Sequence, residues 1–162
     1  MIIKRSEAIT LSAFIEYFNL PEESRLEIID NALAENGIGD APPEIANQLA
    51  RKYMAYEFKS ITNDYLSSIL SKHFGYSVKV TGIEMKLLRC YCCGYKTLRG
   101  RGEYDICRVC WWEDDGGSDP EKYSSVNHMT LQEGKLNFEK NGVVSDYLLE
   151  KVDANRTLKY VR

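Results

Sequence analysis

The stretch CYCCGYKTLRGRGEYDICRVC, residues 90–110, contains all five cysteines of the 162-residue chain. Cys90 and Cys93 form one C-x-x-C pair, and Cys107 and Cys110 form a second. Two such turns can present four thiolates in the tetrahedral arrangement of a closed structural zinc site. In a protein of a reducing compartment, cysteines are metal ligands or free thiols rather than disulfides. The spacing therefore predicts one structural Zn2+ per chain, held by these four residues.

The fifth cysteine, Cys92, lies inside the first C-x-x-C turn. Only Cys90 and Cys93 combine the two-residue gap with a following glycine, Gly94, which lets the backbone turn back toward the sulfurs. Cys92 is therefore predicted to be a small space-filling thiol. Zinc binding in a register shifted to Cys92 is one alternative, and a catalytic thiol with His128 as its base is another.

The composition around the cysteines favours a structural metal over a catalytic one. Residues 86–129 contain few aliphatic side chains and five glycines, so this segment has little core of its own and needs a stabilising ligand. Four thiolates leave no coordination position for water. The chain has only two histidines, His73 and His128, and no phosphate-binding glycine loop or H-E-x-x-H motif. His128 remains an alternative ligand, and the protein is predicted not to be an enzyme.

The composition of the whole chain is that of an ordinary folded protein, with 44% hydrophobic and 28% charged residues. Its apolar runs are too short to span a bilayer, and its first residues lack the apolar core of a signal peptide, which predicts a cytoplasmic protein. Residues 1–85 have eight basic and twelve acidic side chains, a net charge of −4, whereas residues 86–162 have thirteen and twelve, a net charge of +1. This balance argues against a nucleic-acid-binding protein and offers no membrane-binding surface.

Periodic apolar residues and helix-breaking residues predict helices in the first half of the chain. A first helix is expected from a cap at Ser6 to the break before Pro21, and a second over Glu22–Glu35. A third helical region from Pro43 to Phe74 is long enough for a break near residues 60–63. Its apolar residues do not all lie on one face, which favours burial on more than one side or an additional partner surface.

The second half predicts short strands and one further long helix. Strands are expected over residues 76–80 and 85–88. A capping box, Thr130 with Glu133, begins a helix that Gly142 ends, and the tail is expected to hold a short helix and a strand. The predicted fold class is α+β: a helical domain over residues 1–80, then a zinc-ribbon-like domain with short strands and a C-terminal helix over residues 81–162.

Three motifs carry a resemblance to a known family: CYCCGYKTL (residues 90–98), YDICRVCWWEDD (residues 104–115) and NHMTLQEGKLNFEKNG (residues 127–142). Together they resemble the cysteine-rich CPCC domain of bacterial proteins. Tyr91 and Arg108 stand where that family has proline, which leaves the ligands intact but loosens the turns. The resemblance implies a metal-binding, zinc-ribbon-like module in a bacterial protein. By analogy of build it also implies an immunity protein, which neutralises a cognate toxin.

The stretch WWEDD offers the most specific candidate surface for a protein partner. Aromatic side chains beside carboxylates are typical interface anchors, and an acidic rim suits the basic cleft of a nuclease toxin. The predicted contact residues are Trp111, Trp112, Glu113, Asp114 and Asp115. Under the other interpretation, one tryptophan packs over the zinc turn and the acidic residues form a solvated turn.

A regulatory or nucleic-acid-binding zinc ribbon is the second functional hypothesis. Three basic residues, flanked by Tyr95 and Tyr104, are candidates to contact phosphates while the rings stack on bases. They are Lys96, Arg99 and Arg101. The alternative is a solvated, glycine-containing loop between the two turns, which the acidic balance of the chain favours.

Overall fold

The computed structural model describes residues Met1–Arg162 and has the predicted α+β composition, with six α-helices and three two-stranded sheets. The chain divides into two compact units, Met1–Glu84 and Met85–Arg162. Among its helices there is none that combines the length and the apolar character needed to cross a bilayer.

The first unit is built from four helices, and several of their ends lie at prolines or glycines of the sequence. The predicted second helix is confirmed, and the predicted break in the third region is a 3-10 turn at Phe58–Ser60. Gly75, in the left-handed conformation, ends the last helix. The helices are α1 (Arg5–Asn19), α2 (Glu22–Glu35), α3 (Pro43–Glu57) and α4 (Asn63–Phe74).

The predicted cap at Ser6 is wrong, because α1 begins at Arg5 and Ser6 is already its second residue. The cap position is Lys4, whose backbone N–H donates to the Glu7 carboxylate at 3.2 Å. The helix starts early because the chain enters it directly from a strand, β1 (Ile2–Lys4), that the sequence did not predict. A three-residue strand is too short to show the alternation by which strands are recognised.

β1 pairs in parallel with β2 (Lys79–Thr81), with Ile2 opposite Lys79. β2 shares Lys79 and Val80 with the strand expected over residues 76–80 and ends one residue later, at Thr81. Serine hydroxyls of α4 cover its outer edge: the Val80 N–H donates to Ser67 Oγ at 3.0 Å and the Val78 N–H donates to Ser71 Oγ at 2.9 Å. The backbone N–H groups that a further strand would need on that side are therefore already bonded.

Arg5 joins the start of α1 to the segment between α3 and α4. Its guanidinium is largely buried and donates to Asn63 Oδ1 at 2.6 Å and to the carbonyls of Lys59 and Ile61 at 2.8 and 2.7 Å. Burial lowers the pKa of Arg5, and the nearby Glu84 carboxylate acts in the opposite direction. The three acceptors fix the turn that separates the two helices.

The second unit consists of short strands and two helices around the cysteines. The predicted capping box is confirmed, because the Glu133 N–H donates to Thr130 Oγ1 and the Thr130 N–H donates to the Glu133 carboxylate. Its elements are β3 (Leu88–Arg89), β4 (Lys96–Leu98), β5 (Tyr123–Ser124), β6 (Met129–Thr130), α5 (Leu131–Asn141) and α6 (Arg156–Lys159). The strand expected over residues 85–88 overlaps β3 at one residue only, Leu88.

The chain's last residues are part of this unit. The Arg156 guanidinium donates to the carbonyl of Val109, between the second pair of cysteines, and to the carbonyl of Gly142, which ends α5. The Lys96 N–H of β4 donates to the Val161 carbonyl at 2.8 Å. Residues 156–162 therefore pack on the cysteine-containing part of the unit. The predicted tail helix is present, whereas no strand is assigned there.

Candidate metal centre

The structure brings together the four sulfurs that the sequence singled out. The Cys90 and Cys110 Sγ atoms are 3.7 Å apart, the Cys93 and Cys107 Sγ atoms are 3.6 Å apart, and all four lie within 4.8 Å of one another. A regular tetrahedron around an ion with the usual Zn–S distance has sulfur–sulfur edges of about 3.8 Å. The four side chains therefore fit a tetrahedral metal ion of the size of zinc, and each is at most 2% exposed.

The two C-x-x-C turns have the same backbone geometry. The Gly94 N–H donates to the Cys90 carbonyl, and the Trp111 N–H donates to the Cys107 carbonyl, both at 2.9 Å. A second bond in each turn runs from the N–H of the first cysteine to the carbonyl five residues later, at 2.8 Å in both. Each pair of sulfurs is thus held by a closed turn.

The residue after each turn has a left-handed backbone, with φ of +80° at Gly94 and +67° at Trp111. Glycine adopts this conformation without steric cost. A tryptophan does not, and the conformation costs it about 1–2 kcal/mol. In the sequence, the glycine at position 94 predicts the left-handed conformation. Nothing at Trp111 predicts it, and there the surrounding fold imposes this conformation.

A hydroxyl supports one of the sulfurs from outside the cluster. Thr97, a buried residue of β4, donates from Oγ1 to the Cys107 Sγ at 3.0 Å. Such a bond stabilises negative charge on a sulfur ligand and fixes its orientation. The sequence analysis missed Thr97, since nothing in the spacing of a strand residue relates it to a sulfur ten positions away.

The pKa values of three of the four cluster cysteines are shifted, and not all in the same direction. Burial acts to raise the pKa of Cys107, but hydrogen bonds from Cys110, Cys90, Cys93 and Thr97 lower it well below its usual value. The pKa of Cys93 is raised, mainly by its hydrogen bond with Cys107, and that of Cys110 is raised by burial and the same neighbour. The surroundings therefore favour the thiolate form of Cys107 and the protonated thiol form of Cys93 and Cys110.

Cys92 lies outside the four-sulfur cluster and packs in the core. It lies beside Gly134, where α5 passes close to Trp112: a Cβ added there would be 3.5 Å from the Cys92 Sγ and 2.7 Å from Trp112 Cζ3. This packing agrees with a space-filling thiol. His128 is exposed, in the turn between β5 and β6, and is not part of the cluster.

The structure divides the five residues of the WWEDD stretch into two groups. Trp112 and Asp114 are 1% and 0% exposed, so their side chains are interior and do not form a contact surface. Trp111, Glu113 and Asp115 are half-buried. The predicted partner surface is thereby reduced to these three residues, and the solvated-turn interpretation does not hold for Asp114.

Asp114 is buried because it accepts hydrogen bonds from the loop between the two turns. Its carboxylate binds Arg101 Nη1 at 2.6 Å and the Gly102 N–H at 2.7 Å. The same guanidinium donates to the Arg89 carbonyl and lies 3.8 Å from the ring centre of Tyr91. Arg101, which the sequence offered as a phosphate contact, is therefore engaged in holding the two turns together.

Comparison with known proteins gives one family. No curated protein and no solved structure matches the chain. Residues 88–157 match the family described as Cysteine-rich CPCC. The match extends past the motifs of residues 90–142 to include Arg156, which bonds to the second turn. Together with the four-sulfur cluster it indicates metal binding. The segment from residue 88 to residue 157 is thus similar to the cysteine-rich CPCC family over less than half of the chain.

Proposed function

We propose that Cys90, Cys93, Cys107 and Cys110 bind one zinc ion and that the ion has a structural role. The observation that carries this proposal is the tetrahedral spacing of four fully buried sulfurs. Tetrahedral sulfur sites select zinc or iron, and a site closed by four thiolates is typical of structural zinc. Elemental analysis of the purified protein should give about one zinc per chain. Folded protein that contains no metal would contradict the proposal.

We further propose that the protein is not an enzyme. A closed four-thiolate site has no position at which zinc can activate water. The remaining thiol, Cys92, is buried against α5, whereas His128 is exposed, so they do not form a nucleophile and base within reach of a substrate. A Cys92→Ser variant with full biological function would exclude a catalytic thiol. Loss of function with an intact fold would support one.

We infer that the protein acts in the bacterial cytoplasm as an immunity protein, which covers the active or substrate-binding face of a cognate toxin. The absence of a catalytic set, the net charge of −4 in residues 1–85 and the combination of a metal-stabilised unit with a helical unit support this function. Zinc would maintain the fold of the second unit. The surface of the protein, and not the zinc ion, would contact the toxin.

Co-expression tests this function directly. The product of the adjacent gene, if it is a large secreted protein with a toxic C-terminal region, supplies the toxin. We expect the wild-type chain to restore growth when that region is expressed. The Cys107→Ser variant should fail because the second unit loses its metal, whereas the Cys92→Ser variant should protect the cells. Growth arrest with the wild-type chain present would refute immunity against that toxin.

A nucleic-acid-binding zinc ribbon is the weaker candidate. Its basic loop depends on Arg101, and that guanidinium is already bonded to Asp114 and to the Arg89 carbonyl. Titration with single-stranded and duplex nucleic acid at two salt concentrations distinguishes this function. Binding that weakens strongly with salt would favour it over immunity, and the absence of binding would remove it.

A further inference from the structure

Two arginines of the first unit lie near each other where α1 ends against α2 and α3. The Arg25 guanidinium of α2 donates from Nη1 to the carbonyl of Leu20, the residue directly after α1, at 2.8 Å. The Leu20 N–H in turn donates to the Tyr17 carbonyl. Arg25 therefore places its charge within one helical turn of Tyr17, at the end of α1.

Arg51 reaches the same place from α3. The Tyr17 hydroxyl donates to Asn47 Oδ1 at 2.6 Å. Arg51 follows Asn47 by one helical turn, so the two side chains lie on one face of α3. Burial raises the pKa of Tyr17, and the positive charges of Arg25 and Arg51 both act to lower it. Charges have this effect on a hydroxyl only from nearby. We call Arg25 and Arg51 the arginine pair.

The arginine pair has no acidic partner within the chain, although both side chains are half-buried. Arg51 forms no hydrogen bond or ion pair, and Arg25 is bonded only to a neutral carbonyl. The nearest acidic residues of α3, Glu44 and Glu57, are each about two turns from Arg51 along the helix. Glu22, one turn before Arg25, is exposed and does not pair with it. Charges that are partly removed from water are normally paired, so an anion from outside the chain is the missing partner.

We propose that the arginine pair binds a phosphate group as its dianion. Guanidinium groups match phosphate oxygens with their planar forks of N–H donors. Two positive charges balance the two negative charges of the dianion, whereas a carboxylate would balance only one. Tyr17 is fully buried and does not contact the ligand; it positions Asn47, which is half-buried beside Arg51. The site lies in the helical unit and is independent of the four-sulfur cluster and of the immunity function.

Nuclear magnetic resonance of the full chain tests the site directly, because each arginine has its own Nε–H resonance. The zinc-containing protein is titrated with inorganic phosphate while chloride keeps the ionic strength constant, so that screening does not change. We expect the Arg25 and Arg51 resonances to shift and to saturate with a dissociation constant of about 1–10 mM. Acetate should bind at least about tenfold more weakly, because it has a single charge.

A parallel titration with methyl phosphate identifies the source of the phosphate group. Methyl phosphate that binds as tightly as inorganic phosphate indicates a site for phosphate monoesters. Binding of inorganic phosphate alone indicates a site for the free ion. Both results support a phosphate site at the arginine pair.

Matched variants assign the binding to the arginine pair. Arg51→Gln should weaken phosphate binding at least about tenfold, with the Arg25 resonance as the reporter. The control Lys52→Gln removes the same charge from the next, exposed residue of α3 and should change the affinity by less than about twofold. Arg51→Lys keeps the charge but loses the planar fork, and it should bind with an affinity between those of Arg51→Gln and the wild type. Circular dichroism and thermal unfolding establish that each variant folds.

Three results would overturn the proposal. The first is the absence of a saturable shift of either resonance up to about 50 mM phosphate. The second is an equal loss of affinity in Arg51→Gln and Lys52→Gln, which would show that only the general charge of the helix matters. The third is binding of acetate as tight as that of phosphate, which would make this a carboxylate site. The titrations need no toxin, so their outcome does not depend on the immunity function.

Discussion

The close contact between Gly134 and Trp112 predicts that Gly134→Ala lowers the free energy of unfolding, and that a second substitution, Trp112→Phe, removes or reverses this loss. A Cβ added at Gly134 would lie 2.7 Å from Trp112 Cζ3 and 2.9 Å from Cε3. Ordinary carbon contacts begin near 3.5 Å, so the indole or the helix must move by about 0.8 Å. Because Trp112 is fully buried, it has little free space into which to move.

The magnitude follows from two opposing contributions. Overpacking a full core lowers the free energy of unfolding by about 1–3 kcal/mol. Replacing glycine by alanine within a helix raises it by about 1 kcal/mol, because alanine has the higher helix propensity. We therefore expect Gly134→Ala to lower the free energy of unfolding of the second unit by about 0–2 kcal/mol. In a Trp112→Phe background the atom at Cζ3 is absent. There the same Gly134→Ala change should be neutral or stabilising, by up to about 1 kcal/mol.

Denaturant unfolding followed by tryptophan fluorescence measures both changes. Trp111 and Trp112 are the two tryptophans of the chain and both belong to the second unit, so the signal reports that unit alone. Trp111 provides it when Trp112 is replaced. Zinc must be kept in constant excess, because a bound ion adds to the apparent stability. Equal destabilisation by Gly134→Ala in both backgrounds would show that the indole contact does not set the cost.

Three further predictions concern the metal centre and its surroundings. Asp114→Asn should destabilise the second unit by about 2–4 kcal/mol, because it removes the charge that pairs with Arg101. The control Asp115→Asn, in a half-buried turn, should lower the free energy of unfolding by less than about 0.5 kcal/mol in the same denaturation assay. Similar losses for both variants would contradict the assigned burial of Asp114. Thr97→Val should weaken zinc binding about tenfold, measured in competition with a chromophoric chelator, and Thr97→Ser should retain the affinity. An unchanged affinity in Thr97→Val would show that the hydroxyl does not support the metal site. Zinc binding should release at least two protons near neutral pH, because the raised pKa values of Cys93 and Cys110 keep these thiols protonated until the metal binds. The apparent affinity for zinc should therefore rise with pH. Calorimetry in two buffers of different ionisation enthalpy measures the proton release, and a value of zero would refute the prediction.

The parts of the structure that sequence reasoning predicted are those fixed by nearby residues. A C-x-x-C turn depends on four consecutive positions, and the capping box of α5 depends on Thr130 and Glu133 alone. The ends of α2 likewise follow from Pro21 before it and Gly37 after it, and α4 begins at its cap residue Thr62, whose hydroxyl accepts the Tyr65 N–H. In each case the interaction that determines the element lies within one helical turn or one loop, where residue spacing is informative.

The features that sequence reasoning missed depend on residues far apart in the chain. β1 exists because it pairs with a strand more than seventy residues away. The burial of Asp114 depends on Arg101, which lies 13 residues earlier in the loop between the turns, and both residues are of types usually found on a solvated surface. Likewise, the left-handed backbone of Trp111 is set by the closed turn around Cys107. No spacing rule marks such positions.

The hydrogen bond from Arg156 to the Val109 carbonyl makes the tail and the metal centre thermodynamically linked. Val109 lies between two of the sulfur ligands, so order at either site favours order at the other. Linkage of this kind is reciprocal: the factor by which a docked tail tightens metal binding equals the factor by which bound metal tightens tail docking. Amide hydrogen exchange in residues 156–162 should therefore report metal occupancy from a distance. A protease that engages these residues would encounter a substrate whose resistance depends on the zinc concentration.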